Sequence, residues 1–237
     1  MRNPILAALD VPSADAACAL ARELAPVVGG FKIGSELFTA AGPGVVKKIR
    51  ETGAAVFLDL KFHDIPNTVA RAVAAAARLD VQMLSVHASG GTAMLKAAGE
   101  SARDTARSLG RAAPLVLAVT VLTSLDAREL GEVGFQADPG RQVERLAALA
   151  VQAGLRGLVC SPLEIAVLRR TLPRHIQLVA PGIRQGGAPP DDQKRAWTAG
   201  QALAAGADWL VIGRPICAAR NPRAAAEQIL AALEQFK

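Results

Sequence analysis

Short apolar runs alternate with longer segments of helical spacing along most of the chain. Apolar runs of a few residues bounded by turn residues are typical of buried strands, whereas apolar residues three and four positions apart are typical of amphipathic helices. The predicted strands lie near residues 5–9, 30–33, 55–60, 83–87, 115–120, 157–160, 177–180 and 209–213. The predicted helices cover residues 14–24, 44–51, 68–79, 91–109, 140–153, 163–171, 197–205 and 223–234.

This alternation predicts an α/β fold, a single-domain (β/α)8 TIM barrel over residues 1–237. No linker rich in Pro, Gly or Ser divides the chain. A doubly wound open sheet is the main alternative, and the number of strands alone does not exclude it. Against that alternative, the first strand is followed by Asp10-Val11-Pro12-Ser13 and not by the GxGxxG turn of a dinucleotide-binding sheet.

Composition and charge indicate which kind of molecule the protein binds. The chain has 51% hydrophobic residues, and 27 basic against 21 acidic residues leave a formal net charge of +6. The basic residues are scattered and form no run interleaved with aromatics, which argues against nucleic acid as a partner. A mildly basic protein still favours a small anionic substrate.

The cysteines and the apolar runs indicate a compartment. Cys18, Cys160 and Cys217 are widely spaced and form no CxxC pair, which is typical of a reducing environment. The N-terminal residues run directly into the first predicted strand, so no signal peptide is expected. No apolar run approaches the roughly 18 residues that a membrane span needs. We therefore expect a cytoplasmic protein that does not bind membranes.

The segment 59–68, DLKFHDIPNT, places charged groups where an apolar strand ends. Because side chains on a strand alternate between faces, Asp59 and Lys61 are expected to share one face. Asp64 follows three residues after the lysine. Two acids around one lysine should keep it charged, and a charged lysine is a poor Schiff-base nucleophile and a good proton donor. A plain salt bridge at a strand end is the alternative interpretation.

Further polar residues follow other predicted strands and would meet at the carboxyl-terminal mouth of a barrel. They are Asp10, Lys32, His87, Thr120, Thr123 and Arg214, with Pro181 and Gly213 at the ends of the seventh and eighth strands. Polar side chains in apolar strands are costly to bury unless they are satisfied, so a shared site explains them. Two alternatives stay open, because Asp10 is also a suitable helix cap and His87 a suitable hydrogen-bonded barrel residue. The histidines lack metal-ligand spacing, and no metal site is predicted.

The C-terminal part of the chain indicates a phosphate site. The last predicted strand opens into Gly213 and Arg214, and barrels commonly bind phosphate after strands seven and eight. The loop 181–194 is long for a compact domain and is predicted to be a lid, with Arg184 and Gln193 closing over the anion. A floppy surface loop is the alternative.

Several separated motifs occur together in this sequence. They are Leu9-Asp10, Phe31-Lys32-Ile33-Gly34, the segment 59–68, Thr120-Val121-Leu122-Thr123-Ser124, Pro181-Gly182-Ile183-Arg184 and Ile212-Gly213-Arg214-Pro215-Ile216. In this order they resemble the bacterial orotidine 5′-phosphate decarboxylases over essentially the whole chain. The resemblance implies that orotidine 5′-phosphate loses CO2 to give UMP, the last step of de novo pyrimidine biosynthesis, without a metal or an organic cofactor.

The resemblance also implies roles for single residues. Lys61 would protonate carbon 6 of the pyrimidine within a network of alternating charges that contains Lys32, Asp59, Lys61 and Asp64. Asp64 and Thr68 would reach into the partner subunit's site of a homodimer. The implied substrate-binding residues are Asp10 and Lys32 at the ribose, Asp59 beside the lysine, Thr123 at the pyrimidine, and Pro181, Arg184, Gln193, Gly213 and Arg214 in the phosphate loop region.

Two other functions stay open. Sugar-phosphate decarboxylases and synthases of related barrels share an Asp-x-Lys-x-x-Asp core and use a divalent metal. The continuation Pro66-Asn67-Thr68 and the lid residue Gln193 favour the nucleotide enzyme. A non-catalytic phosphate-binding barrel is the third possibility, and the motif of Lys61 and its two acids argues against it.

Overall fold

The computed structural model describes residues 3–184 and 197–235. The strands are β1 (Ile5–Ala8), β2 (Gly30–Gly34), β3 (Ala55–Phe62), β4 (Met83–His87), β5 (Leu115–Val119), β6 (Gly157–Val159), β7 (Gln177–Ala180), β8 (Ile183–Arg184), β9 (Trp197–Thr198) and β10 (Trp209–Ile212). The helices are α1 (Ala14–Leu24), α2 (Ser35–Ala41), α3 (Gly44–Arg50), α4 (Pro66–Arg78), α5 (Gly91–Ser108), α6 (Ala127–Glu132), α7 (Pro139–Gln152), α8 (Ile165–Thr171), α9 (Ala199–Ala204), α10 (Arg214–Cys217) and α11 (Pro222–Glu234). Two single turns of 3-10 helix lie at Ala88–Gly90 and Pro162–Glu164.

Eight parallel strands close into a barrel in the order β1-β10-β7-β6-β5-β4-β3-β2. Closure depends on β1, which pairs with β2 on one side and with β10 on the other, at Leu6 with Gly30 and at Ile5 with Leu210. The predicted TIM barrel is thereby confirmed and the open-sheet alternative is wrong. The short strands β8 and β9 form a separate parallel pair beside the barrel.

Helix ends follow the local capping chemistry. The Ser13 side chain accepts the amide N–H of Ala16 and starts α1. Asn221 caps α11 in the same way through the amide of Ala224, directly before Pro222 at the first helical position. A side-chain acceptor satisfies an amide that the start of a helix leaves unpaired, and a proline at the first helical position removes one such amide. Both helix starts therefore lie within one residue of the prediction.

Two apolar layers surround the strands. The barrel interior is filled by Leu6, Phe57, Met83, Leu117, Val119, Val159, Val179 and Trp209. A larger layer between strands and helices buries aliphatic side chains such as Ile33, Leu84 and Leu178 completely. Because the interior is packed with these side chains, the barrel is no pore, and space for a ligand lies at its mouth.

Several segments differ from their predicted structure. A short helix, α2, follows β2 directly, and α6 follows the fifth strand, where no helix is predicted. The helix predicted from Trp197 is wrong at its start, because Trp197–Thr198 pairs with Ile183–Arg184 as a strand and Thr198 then caps α9. The predicted lid begins at Pro181, and its portion 185–194 lies outside the described residues.

Candidate active site

A cavity of about 620 Å³ opens at the carboxyl ends of the barrel strands. Among its lining residues are nine that the sequence singled out: Asp10, Lys32, Asp59, Lys61, Thr123, Pro181, Arg184, Gly213 and Arg214. Glu36 on α2 also lines it and is missed by sequence reasoning, because α2 itself is not predicted. Residues that are far apart in the chain thus share one charged cavity.

Lys32 and Asp10 form the first ion pair of the cavity. Lys32 lies on β2 and is only 8% exposed, and its Nζ donates to Asp10 Oδ1 at 2.6 Å. A buried ammonium is costly without an anionic partner, so Asp10 stabilises the lysine in this position. Gly34 leaves room for the pair, because a Cβ at this residue would lie 2.9 Å from Lys32 Nζ. Asp10 is not the cap of α1, since Ser13 has that role.

Asp59 and Lys61 form the second ion pair, with Lys61 Nζ 2.8 Å from Asp59 Oδ2. The pair lies at a bulge, because Leu58 pairs with Leu84 and the next register partners are Phe62 and Val86. Lys61 has a φ of 51°, a left-handed conformation that is rare for a residue with a side chain. Bulges of this kind re-aim side chains beside active sites. The contact is present as predicted, although simple strand alternation does not produce it.

Ser85 is a functional candidate that sequence reasoning missed. It lies on β4, is completely buried, and its hydroxyl contacts both the backbone of Lys61 and the carboxylate of Asp59. The only sequence signal is a polar residue inside the apolar strand Met83–His87. Such a residue also occurs in ordinary strands, so that signal alone does not reveal the contact.

His87 ends β4 next to this pair. Its ring centroid lies 5.3 Å from that of His63, with the two planes tilted by 40°. Burial lowers the pKa of His87, and the nearby charges of His63 and Lys61 lower it further, against the opposing effect of Asp59. A neutral imidazole at neutral pH is therefore favoured, and His87 does not line the cavity among the described residues.

Two cysteines belong to the cavity wall. Burial raises the pKa of the Cys217 thiol to about 12, with a further contribution from the negative charge of Asp10. The Cys217 thiol donates to the carbonyl oxygen of Ala8 at 3.1 Å. Burial also raises the pKa of Cys160 strongly. Since the thiolate is the reactive form, neither cysteine is suited to nucleophilic catalysis.

Asp64 and Thr68 do not join this cavity. Both are exposed, and Asp64 accepts the amide N–H of Ile65 at 2.6 Å. Within the described part of this chain no ion pair joins Asp64 to Lys61, so the expectation that two acids flank the lysine is wrong for a single subunit. The physical reason is the turn before α4, which directs residues 64–68 to the surface. Gln193 lies outside the described residues.

Two features are absent from the described residues 3–184 and 197–235. No cluster of three or more His, Cys, Asp or Glu side chains there has an arrangement that could hold a metal ion. No helix in the same ranges is long and apolar enough to cross a membrane.

The closed barrel and its charged cavity at the carboxyl ends of the strands define the class of (β/α)8-barrel enzymes. Within that class, the chain belongs to the Orotidine 5′-phosphate decarboxylase / HUMPS family, whose sequence model matches residues 3–229.

Curated relatives support the same family over the whole length. Orotidine 5′-phosphate decarboxylase of Moorella thermoacetica is 51% identical over 237 residues, which cover 100% of this chain and 94% of the relative. Orotidine 5′-phosphate decarboxylase of Pseudomonas paraeruginosa is 50% identical over 232 residues, which cover 98% of each chain.

Solved structures show the same fold. Orotidine 5′-phosphate decarboxylase from Lactobacillus acidophilus has a TM-score of 0.83 and 35% identity, over 98% of this chain and 99% of that chain. An uncharacterized conserved protein from Geobacillus kaustophilus has a TM-score of 0.84 and 36% identity, over 97% of this chain and 100% of that chain.

Proposed function

We propose that this protein decarboxylates orotidine 5′-phosphate to UMP and CO2 in pyrimidine biosynthesis, with Lys61 as the proton donor and without a metal or organic cofactor. The observation that carries the proposal is the ion pair of Lys61 and Asp59 on the wall of the cavity. The curated relatives with this name supply the substrate class.

Lys61 has the chemistry that the reaction needs. When the bond from carbon 6 to the carboxylate breaks, CO2 leaves and the electron pair stays on carbon 6, where no carbonyl group delocalises it. A fixed ammonium beside that carbon stabilises the developing charge and then transfers its proton to the same carbon. The amine regains a proton from solvent before the next turnover.

The second ion pair is suited to the sugar. In this proposal Lys32 and Asp10 hold the ribose hydroxyls, because an ammonium donates hydrogen bonds and a carboxylate accepts them. Asp10 Oδ1 and Lys32 Nζ are already 2.6 Å apart, so the pair is organised before the substrate binds. Thr123, which also lines the cavity, is assigned to the pyrimidine.

The phosphate is assigned to Arg184 and Arg214, which line the cavity together with Pro181 and Gly213. A guanidinium binds a phosphate through charge-assisted and often bidentate hydrogen bonds. The energy of binding a remote phosphate can be used to lower the barrier at the reacting carbon. Gln193 is assigned to the same region from the family resemblance alone.

A homodimer completes the proposed site. Asp64 and Thr68 are exposed beside Ile65, which is 66% exposed, although Asp64 belongs to the charged motif that begins at Asp59. The resemblance to the bacterial decarboxylases implies that this acid and threonine reach into the partner subunit's site, and the exposure of both residues fits that arrangement. We assign Asp64 and Thr68 to the partner subunit's cavity. Because all three cysteines are free, the proposal places the enzyme in the reducing cytoplasm.

A spectrophotometric assay tests the proposal. Purified protein is mixed with orotidine 5′-phosphate, and the loss of its absorbance is followed with and without a chelator. We expect equal turnover in both samples and UMP as the product. No turnover with this substrate contradicts the assigned reaction, and loss of turnover in the chelator, restored by a divalent metal, contradicts cofactor independence and favours the sugar-phosphate enzymes that share the motif.

A further inference from the structure

The bulge in β3 leaves part of the ladder between β3 and β4 unpaired. Leu58 pairs with Leu84 and Phe62 pairs with Val86, so residues 59–61 of β3 lie opposite Ser85 alone. A residue in a bulge loses its regular backbone acceptor, and an unpaired buried amide is costly. The Lys61 amide is satisfied by a side chain instead, because it donates to Ser85 Oγ at 2.9 Å.

The hydroxyl of Ser85 has a second bond of fixed direction. It donates to Asp59 Oδ1 at 2.8 Å, while Asp59 Oδ2 accepts from Lys61 Nζ. An amide N–H only donates and an ionised carboxylate only accepts, so the serine proton must point to Asp59. One hydroxyl therefore connects the backbone of Lys61 to the carboxylate that its own ammonium contacts.

Ser85 does not touch the cavity. It is 0% exposed and is not among the described residues that line the site. A role in binding substrate is thereby excluded for the described conformation, and any effect on the reaction must pass through its two neighbours. The left-handed backbone of Lys61 costs free energy, and such conformations persist only where surrounding contacts hold them.

We infer that Ser85 is a positioning residue, which holds the Asp59 carboxylate and the bulged backbone of Lys61 so that the ammonium faces the reacting carbon. The inference rests on the proposed decarboxylation. Small displacements of a reacting group cost much rate, so we expect Ser85→Ala to lower kcat about 10- to 100-fold. KM should change little, because the residues assigned to the ribose and the phosphate are not bonded to Ser85.

Kinetics with matched variants test this role. Ser161 supplies the control, because it is also a completely buried serine, its hydroxyl accepts the Leu163 amide, and it does not line the cavity among the described residues. We expect Ser161→Ala to leave kcat and KM unchanged. Ser85→Thr keeps the hydroxyl and should restore most of the lost kcat. Equal kcat losses in both alanine variants, or an unchanged kcat in Ser85→Ala, overturn the inference.

A measurement without turnover separates this inference from the proposed function. Hydrogen exchange of the Lys61 amide, followed by NMR in the folded protein, should be faster in Ser85→Ala than in the wild type and unchanged in Ser161→Ala. An unchanged rate in Ser85→Ala overturns the positioning role. Absence of decarboxylation by the wild type overturns the proposed function only. Should Ser85→Ala fail to fold, Ser85→Cys, which has a similar volume and a weaker donor, replaces it with the same expected directions.

Discussion

Lys61 Nζ lies 2.8 Å from Asp59 Oδ2, although the backbone between them leaves the regular strand and Lys61 adopts a φ of 51°. The side chain of Lys61 is about one third exposed and that of Asp59 is 13% exposed, and both residues line the cavity. This arrangement suits a proton donor, because the more exposed ammonium is accessible from the cavity and its counterion is held beside it.

Removal of the Lys61 ammonium should abolish turnover without unfolding the protein. We expect Lys61→Ala to retain less than about a hundredth of the wild-type kcat, because general acid catalysis alone contributes about 10²–10⁴-fold. Binding of UMP and the thermal midpoint should remain close to wild type. Lys48→Ala, at an exposed position on α3, is the control and should have full activity. Greater residual activity in Lys61→Ala contradicts the role of Lys61 as the acid.

Arg214 should matter only for a phosphorylated substrate. We expect Arg214→Ala to lower kcat/KM for orotidine 5′-phosphate. The loss of transition-state stabilisation should be about 2–5 kcal/mol, the usual cost of removing one partner of a close charge pair. On orotidine, which lacks the phosphate, the same variant should have nearly the wild-type rate. Arg107→Ala on α5, where the side chain is 77% exposed, should affect neither substrate. Equal losses on both substrates would assign Arg214 a structural role.

Two inactive variants should complement each other if the site is shared between subunits. Lys61→Ala and Asp64→Ala chains, mixed in equal amounts after dissociation, give about half heterodimers with one intact and one doubly altered cavity. About a quarter of the wild-type activity should return. Mass labelling confirms the exchange of subunits. If the exchanged mixture stays inactive, Asp64 serves its own subunit and the shared site is wrong.

Arg169 should stabilise the opposite end of the barrel. Its guanidinium donates to the carbonyl oxygens of Gly206 and Ile176 and contacts the carboxylate of Asp208, and its side chain is only 14% exposed. At about 1 kcal/mol for each hydrogen bond, Arg169→Met should lower the free energy of unfolding by about 3 kcal/mol. That change corresponds to a thermal midpoint lower by roughly 6–12 °C.

The activity of Arg169→Met should be unchanged, in contrast to its lower stability. Arg169→Met should retain the wild-type kcat/KM, because none of its partners lines the cavity. Arg107→Met breaks the exposed pair with Asp104 at 3.0 Å and should leave the thermal midpoint almost unchanged, since exposed pairs contribute little. A similar midpoint in both variants would show that the Arg169 contacts do not stabilise the fold.

His87 should make the fold sensitive to acid. Its pKa is lowered in the folded state, first by burial and then by the charges of His63 and Lys61, with Asp59 opposing them. The unfolded chain, with a histidine pKa of about 6.5, therefore binds a proton more readily than the folded protein does. Stability should decrease as the pH falls below about 6.5, until the folded-state pKa of His87 is passed.

Thermal midpoints measured between about pH 7.5 and pH 5.5, roughly one pH unit either side of the histidine reference value, check this sign. His87→Gln should show a flatter dependence on pH than the wild type. His175→Gln, at an exposed position, should follow the wild-type curve. A His87→Gln curve parallel to that of the wild type contradicts the assignment.

The sequence by itself determined the features that depend on near neighbours along the chain. The alternation of strand and helix follows from local periodicity, and the helix starts after Ser13 and Asn221 follow from caps that act across three residues. The charged motif at the end of β3 is likewise continuous in sequence, so its lysine and first acid are visible without a structure. Where a local signal was weak, as at Trp197, the start of the predicted helix was wrong.

Only the tertiary structure decided which distant residues meet. Pairing of β1 with β10 closes the barrel, and a local pattern does not distinguish this closure from an open sheet. The contact between Asp59 and Ser85 spans 26 positions, and it exists because the register of β4 against β3 shifts at the bulge. The turn after the bulge also directs Asp64 away from Lys61. Register, closure and the aim of a bulged side chain depend on the neighbouring strand, and that information is not contained in the periodicity of either strand alone.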